Sequence, residues 1–225
     1  MPSYKKHVLF SLIMALPFFP DVFYLSLAVI GASIIDFDHP VKKNNLMIMI
    51  LFGILLCLIL YLLNLPLIIG VILIALALIF YISKHRGFMH SIFGIIIITI
   101  FLTIFIVGSY LLFIDFSQNL KIFLIVISLL LGVMVLNRNL LIPYSFLLLI
   151  GIILTKNLVL NPYFIFGALF LGGISHIILD LFTPSGVSIL NPLSLKRYKK
   201  ALGIILMIFW TLAAVLMIFY PFYNL

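Results

Sequence analysis

His176 and Asp180 stand four residues apart inside a long apolar run. On a helix that spacing puts both side chains on one face, one turn apart, and an imidazole and a carboxylate so presented are two ligands for one divalent metal ion. Asp36, Asp38 and His39 form a second polar cluster, where another apolar run gives way to Pro40 and the lysines 42 and 43. Their spacing suits one ligand with a supporting carboxylate, or ligands to two adjacent ions. A third cluster runs His85-Arg86-Gly87-Phe88-Met89-His90. Glycine there lets the chain turn so that both imidazoles point inward. His7 opens the first apolar run and completes the five histidines of the chain.

The donor set is nitrogen and carboxylate oxygen without thiolate, because Cys57 is the single cysteine. That set fits a hydrolytic metal site rather than a structural zinc site. Zn²⁺ is the first expectation, with Mn²⁺ or Fe²⁺ as alternatives and room for one or two ions. The chain has five aspartates and no glutamate, so a general base must be metal-activated water, an aspartate or a histidine. The ligands are expected to be His7, Asp36, His85, His90, His176 and Asp180. Asp38 and His39 are the candidates for proton transfer, and Arg86 is the natural clamp for an anion, since guanidinium meets phosphate through two parallel hydrogen bonds. Each cluster taken singly has a plainer reading: a helix-to-helix hydrogen bond for His7, an interfacial basic pair for His85 and Arg86, a helix end for Asp36 and Asp38.

The elements that must position these groups are transmembrane helices. The chain has 225 residues, of which 66% are hydrophobic and 8% charged, with mean hydropathy +1.45. Soluble domains carry about 25% charged residues. Spanning segments in lipid must satisfy their own backbone groups, and continuous rather than alternating apolar runs mean helices. The expected fold is an all-α polytopic membrane protein, a bundle of about eight to nine transmembrane or half-membrane helices forming one domain over 1–225. Its apolar runs cover 8–19, 22–35, 46–63, 67–82, 91–114, 120–136, 141–154, 159–181 and 202–222. The first two are short for a bilayer needing about 20 residues per helix, so they form either two short spans or a re-entrant hairpin.

Threading these runs alternately places Lys5, Lys6, Lys42, Lys43, Lys84, Arg86, Arg138, Lys196, Arg197, Lys199 and Lys200 on one side. Only Lys121 and Lys156 fall on the other. The basic-rich side is expected to be cytoplasmic, with the N-terminus inside. The same threading brings all five histidines to that side, although they were not counted. The net charge of +8 then reflects topology and anionic lipid rather than nucleic acid, which is not an expected partner. Asp21 and Asp115 fall on the opposite side and read as ordinary loop or helix-end residues.

Four ordered blocks resemble the YdjM-like inner-membrane proteins described as membrane-bound metal-dependent hydrolases. His7-Val8-Leu9-Phe10-Ser11 is similar to the family's N-terminal histidine motif. Ile35-Asp36-Phe37-Asp38-His39-Pro40 is similar to P-D-x-D-H-P, and His85-Arg86-Gly87-Phe88-Met89-His90-Ser91 to H-R-G-x-T-H-S. Gly173 to Asp180, Thr183 to Val187 and Asn191-Pro192 resemble the closing block. Ile35, Met89 and Asn191 replace proline, threonine and tryptophan, and none of these changes removes an expected ligand. The resemblance implies an inner-membrane hydrolase. Helices walling such a site would suit membrane lipids as partners and a lipid-like or phosphoester substrate. A metal-ion binding or transport protein and a non-catalytic membrane scaffold are the alternatives. A carrier needs polar groups through the whole bilayer, and here the outer halves of the runs are almost purely apolar.

Overall fold

The computed structural model describes residues 3–38, 43–83, 87–114, 119–155 and 159–219, except for the side chains of Asp38 and Lys43. Among these residues the regular elements are nine α-helices with two short 3-10 turns: α1 (Tyr4–Ala15), α2 (Val22–Ile34), the turn Ile35–Asp38, α3 (Lys43–Leu62), α4 (Ile68–Ile82), the turn Phe88–His90, α5 (Ile92–Ile114), α6 (Leu120–Val135), α7 (Arg138–Leu154), α8 (Pro162–Leu181) and α9 (Lys200–Phe219). The all-α bundle is therefore observed. Four helices are long and apolar enough to cross a membrane: Asn44–Leu62 within α3, together with α5, α8 and α9.

Among the helix starts that depart from the apolar runs, three have a local reason. α1 begins at Tyr4 rather than at residue 8, which puts His7 inside the helix, and it ends at Ala15, short of Pro17. α7 begins at Arg138 instead of 141, directly after Asn137 in extended conformation, and it carries Pro143 internally. α8 begins at Pro162, three residues inside the run that starts at 159. The Asn161 side chain accepts from the Tyr163 amide at 2.9 Å, and proline is favoured in a first turn. α1, at 12 residues, is about 18 Å long, well short of the ~30 Å of bilayer hydrocarbon.

The centre of the bundle is the pair α2 and α8, which make the most extensive helix contact and are flanked by α1 and α5. The two run parallel. Near their starts the Tyr24 hydroxyl donates to the Val159 carbonyl at 2.6 Å and accepts from the Asn161 amide at 2.9 Å. Near their ends the His176 ring meets the Ala32 carbonyl. Between these contacts the backbones touch at glycines: a side chain at Gly31 would fall on the Leu169 carbonyl, and one at Gly172 on the Ala28 carbonyl. Small residues allow this approach, and close backbone packing is what drives association where lipid removes the hydrophobic incentive.

The remaining helices fix which ends lie together. Tyr4 hydroxyl donates to the Val135 carbonyl at 3.4 Å and Asn45 Nδ2 to that of Met134 at 3.4 Å, so the starts of α1 and α3 meet the end of α6. The Ile92 amide donates to Ile189 at 3.0 Å, and Val187 and Tyr198 exchange backbone hydrogen bonds of 2.9 and 2.8 Å. The loop after α8 is thereby folded onto the start of α5. At the opposite end Lys121 Nζ donates to the Ile153 carbonyl at 3.2 Å. α9 lies on the outside, with only Gly203 and Ala214 buried, and Trp210 Nε1 donates to the Met14 carbonyl at 3.0 Å.

Candidate metal centre

Four separate stretches deliver side chains to one point. α1 brings His7, the turn after α2 brings Asp36, the turn before α5 brings His90, and the last two turns of α8 bring His176 and Asp180. His90 and His176 Nε2 each lie 3.5 Å from Asp36 Oδ1 and 3.7 Å from Asp180 Oδ2. His7 Nε2 lies 3.7 Å from the other oxygen of Asp180, Oδ1. The His7 and His176 rings stack, with centroids 3.9 Å apart and planes 16° from parallel. His90 stands nearly edge-on to His176, at 5.4 Å and 75°. Four of these residues are buried, whereas Asp36 keeps 25% of its side chain accessible. Access from outside the bundle is therefore on the Asp36 side.

The arrangement fits a metal ion on three counts. His176 Nδ1 lies 2.7 Å from the Ala32 carbonyl. A carbonyl only accepts, so the ring proton sits on Nδ1 and Nε2 presents a lone pair. That outer hydrogen bond is the usual way a metal-binding histidine is oriented. Nε2 itself makes no hydrogen bond among the described residues, although two carboxylates face it. The spacing is also right: ligand atoms around a tetrahedral zinc stand roughly 3.3 Å apart for metal–ligand distances near 2.0–2.1 Å, and the observed separations are 3.5 and 3.7 Å. Finally, two carboxylates set among three imidazoles in an apolar surrounding are a donor set whose charge a divalent cation can balance.

The donors fall into two overlapping groups within 4.8 Å, His7/His176/Asp180 and Asp36/His90/His176. Asp180 turns one oxygen to each. Five of the six expected ligands are thus together: His7, Asp36, His90, His176 and Asp180. His85, Arg86 and His39 lie outside the described residues, as does the side chain of Asp38. Two contributors have no role assigned from the sequence, although Thr183 opens part of the closing block. The Ala32 carbonyl is a backbone atom in an apolar helix, and only the small-residue stretch Gly31-Ala32-Ser33 hints at close helix approach. Thr183 Oγ1 donates to the Asp180 carbonyl at 2.7 Å and lies 3.1 Å from Ser185 Oγ, holding the last turn of α8 closed under its ligand.

The YdjM inner membrane protein family matches residues 1–224 of the chain. No curated protein and no solved structure matches it.

Proposed function

From its place in the YdjM inner membrane protein family, to which the chain belongs, and from the buried cluster of three histidines and two aspartates, we propose a membrane-embedded metal-dependent hydrolase. Its substrate is a phosphoester or lipid-like molecule, and its site faces the cytoplasm. The observation that carries this reading is the convergence of imidazole Nε2 atoms and carboxylates with a fixed His176 tautomer. Zn²⁺ suits the all-N/O donor set best, with Mn²⁺ or Fe²⁺ as the alternatives.

His7, His176 and Asp180 would hold one ion, and Asp36 and His90 would share His176 in holding the same ion or a second. Bound there, a divalent ion acidifies water and polarises a phosphoryl or acyl oxygen. The protein contributes the rest. The Ala32 carbonyl fixes the His176 ring, apolar helices exclude bulk water from the buried ligands, and Asp36, the accessible carboxylate, is placed to meet substrate. Asp38 and His39, next to Asp36 in sequence, are assigned proton transfer, and Arg86 is assigned the anion. Cytoplasmic orientation is supported by the basic residues, eleven of thirteen threading to the end that carries the cluster. Against a carrier, no second His/Asp group lies elsewhere among the described residues.

Purified protein should carry stoichiometric transition metal by elemental analysis. It should hydrolyse a phosphoester lipid analogue in a chelator-sensitive way, and His176→Ala should lose both properties. Metal-free protein, or metal content unchanged in His176→Ala, overturns the reading.

A further inference from the structure

One cavity stands apart from the ligands, and Val8, the chain neighbour of His7, is among the residues that line it. It has a volume of about 520 Å³, within the roughly 300–1,000 Å³ of small-molecule sites, and lies between α1, α2 and α7. Val8 lines one end together with Leu136 and Leu140; Val22 and Gly151 line the other. From Leu140 to Gly151 along α7 is roughly 16 Å at 1.5 Å per residue. The cavity is therefore long, narrow and aligned with the helices.

It offers nothing polar to a ligand. Its two side-chain hydroxyls are committed: Ser26 donates to the Phe23 carbonyl at 2.6 Å and Tyr144 to that of Ser128 at 3.1 Å. It is also propped open. The Tyr144 ring lies against Gly132 of α6, and Gly151 lies against Val22 of α2. These two contacts pack α7 on the bundle along the groove, and the buried side chains of α7 are Leu148 and Ile152. An occupant in a membrane that is all hydrocarbon along this length is an alkyl chain.

We propose that the groove seats the hydrocarbon chain of the substrate, an amphiphile whose anionic head lies at the His/Asp cluster. This rests on the hydrolase reading for what happens at the head, but the seating of the chain can be tested by itself. The probe is a long-chain alkyl phosphate bearing a diazirine near its tail, added to the metal-loaded full-length protein in lipid nanodiscs. Cross-links should map to α1, α2 and α7 around Leu12, Leu25 and Leu147, and excess unlabelled alkyl phosphate should compete where the uncharged alkanol does not. Leu25→Trp and Leu140→Trp should each abolish the label with metal content retained; Leu25→Phe serves if either tryptophan variant loses metal. Label spread over the outward faces of α3 and α9, equal competition by the alkanol, or unchanged labelling in the filled variants overturns the proposal. Groove labelling without turnover sinks the hydrolase reading and keeps the groove; turnover without groove labelling does the reverse.

Discussion

Asp180 holds the cluster together, with Oδ1 toward His7 and Oδ2 toward His90 and His176, all at 3.7 Å. An ion bound to the native chain and not to the unfolded one stabilises it by about 2.7 kcal/mol at a free concentration one hundred times its Kd. Chelator should therefore lower the unfolding temperature of the wild-type protein in detergent. Asp180→Asn keeps the shape but loses the charge and one acceptor oxygen. It should unfold near the chelated wild-type value and respond little to chelator. Equal chelator sensitivity in both proteins would rule out an Asp180-bound ion. At this scale the sequence was informative where helix geometry alone determines proximity, as for His176 and Asp180. It was silent on Ala32, whose contribution is a carbonyl that every residue has. That His7 stacks on His176 follows from packing between segments far apart in the chain.

The site's precision depends on how closely α2 and α8 approach, because the Ala32 carbonyl must come within 2.7 Å of a ring carried by the other helix. Gly172→Leu would drive a side chain onto the Ala28 carbonyl, and backbone cannot rotate away as a side chain can. The expected cost is at least the ~1–3 kcal/mol typical of overpacking, with metal content reduced in whatever protein folds. Gly108→Ala is the control: its added Cβ meets only the Ile69 side chain, at an ordinary 3.4 Å, so metal content and unfolding temperature should hold. Matched losses in both variants would remove the special role of the α2–α8 contact. Helix identity was legible because apolar runs in lipid have few alternatives. Helix starts were less so: hydropathy alone extends α8 back to residue 159, whereas the Asn161–Pro162 cap places its start at Pro162.

Across the whole molecule, the alternating thread places Lys199 and the cluster at one end and Lys121 at the other. In a Cys57→Ser background, Lys199→Cys in spheroplast-derived inverted vesicles should react with an impermeant maleimide, and Lys121→Cys should react only in right-side-out preparations. Reaction of both from the same side would break the alternation across α6, α7 and α8, the helices that lie between the two positions. This sidedness is an expectation drawn from charge, since lysines and arginines report on insertion rather than on packing. The stacking of ligands within the end was not readable from charge. His7 emerges from the ribosome among the first residues and Asp180 among the later ones, yet they face each other at 3.7 Å. An ion held by both can be captured only after α8 has been made and has docked beside α1 and α2. Until then the histidine of α1 has no carboxylate partner from α8, so maturation of a metal centre there would be tied to completion of the bundle rather than to insertion of its first helices.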